Sequence, residues 1–284
     1  MTFTYILGSG YLSDNLKKKI ISSKVFRAKD FIKNINYINR KKKINLIINS
    51  SYSVNKLNYF HSYKSLINKS IFEISKILDL LNPSIINKII YTSSSSVYGS
   101  ITNDKDTTEH NNRGIYAALK LSVESMIKNF CYKNNVKLSI CRIFNMYGRN
   151  DNFSIIKKLD LARKNKFKLT IYNKGNSIRD FIHVDDVAVI YKNLLKNNTF
   201  FKVYDIGTGK GLNIIEIINK VEINRDNILF EKKKVKETSL AVANNKDIKK
   251  IFKKKFKSVE SYFGILKKFN YITKKNKNFV ERSL

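Results

Sequence analysis

Short apolar runs with the composition of buried strands alternate with amphipathic segments along the first half of the chain. The strand-like runs are FTYIL (3–7), KVF (24–26), INLII (44–48), INKIIYT (86–92) and KLSICRIF (137–144). The apolar spacing between them predicts helices over DNLKKKII (14–21), KSLINKSIFEISKILDLL (64–81) and YAALKLSVESMIKNFCYKN (116–134). Repeated strand and helix units of this kind predict an α/β fold, a doubly wound parallel sheet covered by helices on both faces.

The pattern becomes less regular in the second half of the chain. It predicts a helix near 153–166, a strand near 168–172, and a further helix and strand through VDDVAVIYKNLL (184–195) and VYDIG (203–207). We therefore expect a first domain over 1–148, to which the chain returns at about 176–206. A smaller lobe is expected to take up most of 149–284.

Composition places the chain among globular proteins, because 43% of its 284 residues are hydrophobic and no apolar stretch reaches the ~18 residues of a membrane span. The segment MTFTYILGSG runs directly into a strand-like pattern, without the basic region and apolar core of a secretory signal. We expect a cytoplasmic protein with no membrane partner. Cys131 and Cys141 have no metal-like spacing, so we expect both to be reduced packing residues and expect no metal site.

The net charge of +33 raises the possibility of a nucleic-acid partner, because clustered Lys and Arg release counterions from phosphate backbones. The charge is spread along the whole chain, however, and only nine of the 55 basic residues are Arg. Drift towards A/T-rich codons explains this composition without a partner. We therefore do not expect nucleic-acid binding to be the main function, and interpret the basic run KKIFKKKFK (249–257) as one face of a helix.

The first candidate motif is GSGYLS (8–13), between the first strand and the first helix. Gly8 and Gly10 allow a sharp backbone turn that brings a pyrophosphate to the helix N-terminus, where Tyr11 and Leu12 begin the helix. Ser13 replaces the third glycine of the dinucleotide-binding pattern, and a plain glycine turn is the alternative. Arg27 and Lys29 follow the second strand, where a cation pairs with a 2′-phosphate, which favours NADP(H) over NAD.

The second candidate site combines a hydroxyl run with a Tyr and Lys pair. The run SSSSVYG (93–99) follows an apolar strand, and Tyr116 and Lys120 in YAALK lie four residues apart on one helical face. A nearby ammonium stabilises a phenolate, so we expect the pKa of Tyr116 to lie below its usual value of about 10. The alternative is a surface lysine beside a half-buried tyrosine.

Five motifs in order, GSGYLS, SSSSVYG, YAALK, CRIFNMYG and SIRDFIHVDDVA, resemble the extended short-chain dehydrogenase/reductase superfamily of sugar-nucleotide epimerases, dehydratases and ketoreductases. The resemblance covers nearly the whole chain and implies a Rossmann sheet with a smaller substrate-binding lobe. It implies that Tyr116 is the catalytic acid or base, that Lys120 binds the nicotinamide ribose, and that Ser94 binds the sugar oxygen. It also implies that Asn145 and Arg179, beside Asp180, hold the nucleotide diphosphate of the substrate; the alternatives are a turn cap and a buried ion pair.

Departures from the family pattern narrow the expected activity. Dehydratases of the superfamily carry Asp and Glu at the positions of Ser95 and Ser96, so elimination lacks its proton carriers here. Arg149 stands where Pro is usual, and IINSSY (47–52) replaces a His and two Ala. We expect an NADP(H)-dependent reductase of a nucleotide-linked 4-keto sugar. The alternatives are a 4-epimerase that retains NAD and, more distantly, a non-catalytic basic binding protein. Relatives often form dimers through helices at 64–81 and 116–134, which implies a homodimer.

Overall fold

The computed structural model describes residues 2–49, 62–99, 114–148, 150–166, 168–232, 239–266 and 269–273. The strands are β1 (Phe3–Leu7), β2 (Ser23–Phe26), β3 (Ile44–Ile48), β4 (Ile86–Ser94), β5 (Lys137–Ile143), β6 (Asn145–Tyr147), β7 (Leu169–Tyr172), β8 (Ile178–His183), β9 (Phe201–Ile206), β10 (Gly211–Asn213), β11 (Ile228–Glu231) and β12 (Leu240–Ala241). The α-helices are α1 (Tyr11–Lys19), α2 (Ala28–Lys33), α3 (Ile35–Asn39), α4 (Tyr63–Ile67), α5 (Glu73–Leu80), α6 (Gly114–Lys133), α7 (Ile155–Arg163), α8 (Val184–Leu194), α9 (Ile214–Val221), α10 (Lys246–Ile251) and α11 (Val259–Phe263). A π-helical turn, Asn68–Phe72, joins α4 to α5, and a 3₁₀ turn, Ser95–Tyr98, follows β4.

A six-stranded sheet with the order β2-β1-β3-β4-β5-β9 forms the centre of the fold. The β1–β2, β1–β3 and β3–β4 pairs are parallel. All five residues of β3 are buried, as expected for a strand covered on both faces. The strand order reverses beside β1, because β2 pairs with one side of β1 and β3 with the other. In sheets of this type such a reversal opens a ligand crevice beyond the carboxyl ends of the two strands.

The chain divides into two compact units. The first unit takes in the described residues of 1–97, 113–142 and 188–204, and its core packs around strands β1, β3 and β4. The second unit takes in the described residues of 98–112, 143–187 and 205–284. Its core lies among α7, α9, α11 and the strands of two smaller sheets, one in which β8 pairs with β6, β10 and β12, and one formed by β7 and β11.

The α/β fold with a parallel central sheet confirms the fold class predicted from the alternation of apolar runs. Strands β1 and β3 have the predicted bounds, and the helix predicted over 64–81 is present as α4, the π-helical turn and α5. Cys131 and Cys141 are free and buried, as predicted, and burial raises the pKa of each thiol to about 12. No helix within these ranges is long and apolar enough to cross a lipid bilayer.

The interpretation of KKIFKKKFK as one helical face is wrong. Helix α10 ends at Ile251, in the middle of the run, and the Phe252 that follows is buried. The ring of Phe252 stacks on that of Phe256, with the ring centroids 4.7 Å apart. The two aromatic residues therefore anchor the non-helical half of the run, while Lys253, Lys254 and Lys255 are exposed.

A buried lysine in the central sheet closes the end of a helix. The side chain of Lys88, in β4, is fully buried, and its Nζ donates hydrogen bonds to the main-chain oxygens of Leu194 at 2.8 Å and Asn197 at 2.7 Å. Leu194 is the last residue of α8, and its oxygen also accepts a hydrogen bond from the amide of Asn197 at 3.1 Å, so this ammonium adds a charged donor at the C-terminal end of the helix. Burial lowers the pKa of Lys88 to about 8.

We predict that Lys88→Met lowers the free energy of unfolding by about 2 kcal/mol, because methionine fills the space but removes the charged donor that both main-chain oxygens share. Urea denaturation followed by circular dichroism measures the change. Lys192→Met, at an exposed position of the same helix α8, is the matched control and should unfold like the unmodified protein. Equal stability of the two variants would contradict a capping role for Lys88.

Candidate active site

The chain turns sharply between β1 and α1, at the carboxyl edge of the central sheet. Gly8 and Gly10 have φ angles of 96° and 145°, which only glycine adopts readily, and Gly10 is the residue before the helix. No side chain caps this helix end. An added Cβ on Gly10 would meet no atom within 4 Å, so there is open space in front of the first turn of α1, which Tyr11 and Leu12 begin. Open space at a helix N-terminus suits a phosphate group, because main-chain amides and the helix dipole point towards it.

Ser13 stands at the position of the missing third glycine and stabilises the turn. Its side chain is fully buried, and its hydroxyl donates a hydrogen bond to the main-chain oxygen of Gly8. The side chain of Asn49, directly after β3, donates a hydrogen bond to the Ser13 hydroxyl at 2.8 Å. The small buried hydroxyl therefore holds the turn closed and ties it to the neighbouring strand, at the reversal of strand order. Asn49 was not among the site residues predicted from the motifs.

Three residues of helix α6, each four apart, contact three consecutive residues at the end of β4. The phenol of Tyr116 forms a hydrogen bond with the side chain of Ser94. The ammonium of Lys120 donates to the main-chain oxygen of Thr92 at 2.8 Å. The hydroxyl of Ser93 donates to the carboxylate of Glu124, which completes the series.

The predicted cluster of a phenol, an ammonium and a hydroxyl is therefore present within the first unit. The Nζ of Lys120 lies 5.9 Å from the centroid of the Tyr116 ring. The hydroxyl of Ser94 also accepts hydrogen bonds from the amide of Ser96 at 3.2 Å and from its hydroxyl at 3.0 Å. Since Ser96 supplies both of these protons, the proton of Ser94 is directed elsewhere, towards Tyr116 or a bound oxygen.

The prediction that the ammonium lowers the pKa of Tyr116 is wrong for this structure. Burial raises the pKa of Tyr116, and the hydrogen bond from Ser94 opposes the rise only in part. Lys120 is itself buried, which lowers the pKa of its ammonium to about 8, while the nearby carboxylate of Glu124 acts in the opposite direction. At neutral pH Tyr116 is therefore a phenol and Lys120 an ammonium.

A partly buried ion pair that the motifs did not predict involves a residue on the same helical face. Arg142, in β5, binds both oxygens of Glu124, from Nε to Oε1 at 3.1 Å and from its terminal nitrogen to Oε2 at 2.7 Å. Two parallel bonds of this kind fix both position and orientation. The spacing of Tyr116, Lys120 and Glu124 along one face of α6 was the available signal for Glu124.

The remaining predicted residues belong to other segments of the two units. Arg27 and Lys29 are both exposed, and Arg27 directly precedes α2, after the carboxyl end of β2. In the second unit, the side chain of Asn145 donates to the main-chain oxygen of Asp180 at 3.4 Å. Arg179 is half-buried and donates to the main-chain oxygen of Ile178 at 3.0 Å.

Asp180 has an internal role within the second unit. Its buried carboxylate accepts hydrogen bonds from the amides of Thr208, Gly209 and Ala243 and from the hydroxyl of Thr208. Burial raises the pKa of Asp180, and these four donors oppose the rise. The carboxylate therefore holds together the segments that follow β9 and β12, which is a different task from binding a ligand.

The central sheet is parallel, and its strand order reverses at a glycine turn. A tyrosine and a lysine lie on one helical face beside a strand-end hydroxyl. Together these features define a Rossmann-type protein of the short-chain dehydrogenase/reductase class. The family model of the NAD dependent epimerase/dehydratase family matches residues 32–207, more than half of the chain. The chain belongs to this family, which confirms the resemblance stated from the motifs.

The individual relatives share only moderate sequence identity with this chain. The dTDP-L-rhamnose 4-epimerase of Burkholderia thailandensis is 30% identical over 118 residues, which cover 39% of this chain and 32% of that protein. The chain spans about half the length, or less, of the curated relatives it matches. Two solved structures cover 92% of this chain and 96% of their own. They are a UDP-N-acetylglucosamine 4-epimerase from Methanobrevibacter ruminantium M1 (TM-score 0.72, 19% identity) and RMD from Pseudomonas aeruginosa complexed with NADPH (TM-score 0.71, 17% identity). At these identities the structures show a shared fold.

We predict that Glu124→Gln lowers the free energy of unfolding by about 3 kcal/mol, because it removes one partner of a partly buried ion pair. Chemical denaturation of Glu124→Gln, Arg142→Met and the double variant measures the coupling between the two residues. The double variant should lose clearly less stability than the sum of the single variants. Strictly additive losses would show that the pair does not act as a unit.

A second prediction concerns the pH dependence of stability. The pKa of Lys120 is about 8 in the folded protein and 10.5 ordinarily, so between these values the unfolded chain holds a proton that the folded chain has lost. Stability therefore rises with pH across this window, by about 3 kcal/mol from this group. Lys120→Met should flatten that rise, as measured by urea denaturation between pH 7 and pH 10. Parallel curves for the two proteins would refute the assignment.

Proposed function

We propose that this protein is an NADP(H)-dependent oxidoreductase that reduces the 4-keto group of a nucleotide-linked sugar, a 4-keto-6-deoxy sugar in the first instance. The observation that carries the proposal is the contact of Tyr116 and Lys120 with the strand-end residues Ser94 and Thr92, at the edge of the sheet where such folds bind ligands. Reduction of a ketone needs a proton donor beside the carbonyl oxygen and a fixed dinucleotide.

The protonation states suit reduction. The raised pKa of Tyr116 keeps its phenol protonated at neutral pH, so it donates a proton to an oxygen that gains negative charge. Ser94, whose oxygen already accepts two hydrogen bonds from Ser96, directs its own proton to the same substrate oxygen. Lys120 binds the ribose. As a cation, it also stabilises the phenolate that Tyr116 becomes after it has donated its proton. The dinucleotide, when bound, supplies the hydride.

The residues at the glycine turn fit a dinucleotide. We assign the pyrophosphate to the open space before α1, lined by the backbone of Gly8, Gly10, Tyr11 and Leu12. Arg27 and Lys29 are exposed after the end of β2, and Arg27 takes part in no ion pair between described residues, which supports a 2′-phosphate and hence NADP(H). Lys29 also interacts electrostatically with the carboxylate of Glu73. The solved relative RMD carries NADPH, and others carry NAD.

For the substrate, we assign the sugar oxygen to Ser94 and the nucleotide diphosphate to Asn145 and Arg179. Serines at positions 95 and 96 argue against a dehydratase, because a hydroxyl replaces each carboxyl group that elimination uses to carry protons. Ser96 instead donates hydrogen bonds to Ser94, and these bonds orient the Ser94 hydroxyl.

A 4-epimerase is the second candidate, supported by the 30% identity to a dTDP-L-rhamnose 4-epimerase. The same three residues serve both reactions, because an epimerase first removes and then returns a hydride at one carbon. The two proposals differ in the cofactor that stays bound. A protein that co-purifies with NAD and interconverts 4-epimers without net oxidation of NADPH is an epimerase.

We also propose a cytoplasmic homodimer in which the face formed by α4, α5 and α6 meets its copy. Phe72, in the π-helical turn between α4 and α5, and Tyr132, in α6, are 60% and 53% exposed, which is unusual for large aromatic side chains unless a partner covers them. Sedimentation of the purified protein, with Phe72→Lys as the disrupting variant, tests this assembly.

We predict that the purified protein oxidises NADPH when mixed with a member of a panel of 4-keto-6-deoxy nucleotide sugars, as measured by the loss of absorbance at 340 nm. Tyr116→Phe should lower kcat by at least about 100-fold, because the proton donor is lost. Tyr132→Phe, at an exposed position of the same helix α6, is the matched control and should keep full activity. An inert panel, together with a released cofactor identified as NAD by mass spectrometry, would overturn the reductase in favour of the epimerase.

A further inference from the structure

A cavity lies at the amino edge of the central sheet, opposite the carboxyl edge that carries the candidate active site. Phe3, Lys24 and Ile44, at or near the starts of β1, β2 and β3, line it together with residues of α3 and of the loop that leads into β3. Its volume is about 790 Å³. This volume falls in the range of about 300–1,000 Å³ that is typical of small-molecule sites. The glycine turn and the Tyr116 cluster are at the carboxyl edge, so the cavity is not part of the candidate active site.

Four lysines surround this cavity: Lys24, Lys41, Lys42 and Lys43. No ion pair between described residues involves any of them. No acidic residue lines the cavity either, in the part of the chain that the structure describes. The positive charge is therefore concentrated around one concave surface without a resident counter-charge, which attracts an anion.

Aromatic rings form another part of the wall. Phe3, Tyr5, Phe26 and Tyr37 line the cavity, and Phe3 and Tyr37 remain 40% and 61% exposed. The Nζ of Lys41 donates a hydrogen bond to the Tyr37 hydroxyl at 2.6 Å, and the Nζ of Lys24 lies 4.7 Å from the centroid of the Phe26 ring. The exposed ring of Tyr37 and the buried ring of Phe26 thus each stand beside an ammonium group.

We infer that the amino-edge cavity binds a nucleoside phosphate, with the base against the exposed rings and the phosphate among the lysines. An inorganic anion would need only the lysines, and an apolar ligand only the rings. A nucleotide uses both, because its base stacks on aromatic side chains and its phosphate pairs with cations. Two sources share this chemistry, a free mononucleotide and one unit of a single-stranded nucleic acid.

This site is independent of the proposed reductase, because it uses none of the residues assigned to catalysis or to the dinucleotide. The overall charge of +33 calls for a charge-matched comparison, since any polycation binds anions weakly. A readout resolved by peptide is also required, because a nucleotide-sugar site elsewhere in the chain would bind nucleotides as well.

The experiment is photo-crosslinking of the full-length protein at physiological ionic strength. The probes are 4-thiouridine 5′-monophosphate and a tetraribonucleotide that contains one 4-thiouridine, and mass spectrometry locates the labelled peptides. Lys24→Gln/Lys41→Gln and Tyr37→Leu are the test variants. Lys253→Gln/Lys255→Gln, two exposed lysines of the second unit, is the control with the same change of charge.

We expect label on the peptides that carry Phe3 or Tyr37, lowered at least about tenfold in both test variants and unchanged in the control. Labelling by the mononucleotide identifies a free nucleotide as the source of the ligand, and labelling by the tetranucleotide alone identifies a single strand. The inference is overturned if neither probe labels these peptides, if test and control variants lose label equally, or if inorganic phosphate displaces the probe as well as uridine 5′-monophosphate does. Loss of NADPH oxidation in Tyr116→Phe leaves the labelling unchanged, so the two proposals fail separately.

Discussion

The burial of one ammonium group sets the register between helix α6 and strand β4. A charge taken out of water is costly unless it is hydrogen-bonded, and Lys120 meets this need at the main-chain oxygen of Thr92. Once that bond fixes the helix, the residue one turn earlier, Tyr116, reaches Ser94, and the residue one turn later, Glu124, reaches Ser93. Arg142 then locks the far end of the series from a neighbouring strand. The geometry of the phenol is thus a consequence of where a lysine is buried.

Much of the first unit follows from the sequence, because its signals are local. The alternation of apolar runs and amphipathic segments predicts β1, β3 and α6, and a four-residue spacing is enough to place Tyr116 and Lys120 on one face. The protonation of Tyr116 does not follow in the same way. Whether the ammonium or the burial dominates depends on how deeply tertiary packing covers the ring, and here burial dominates.

Prediction is weaker in the second unit, because its order comes from contacts between distant segments. Strands β10 and β12 have only three and two residues, and each pairs with β8 from more than 25 residues away in the sequence. Strands this short show no periodic pattern from which they could be predicted. Asp180 illustrates the same limit. In the sequence it stands in a motif that resembles a ligand-binding segment. In the structure its carboxylate accepts hydrogen bonds from residues 208, 209 and 243 of the same chain. A single sequence gives no sign of these three partners.

The position of β2 at one end of the central sheet has a consequence for solubility. In the described part of the chain β2 pairs only with β1, so one side of this four-residue strand presents main-chain groups that another molecule is able to pair with. Lys24 lies within the strand and is exposed, and a charged side chain on a free edge opposes such strand addition. Neutralising this single position would therefore remove a guard against edge-to-edge aggregation, even though the fold of the individual molecule would be unchanged.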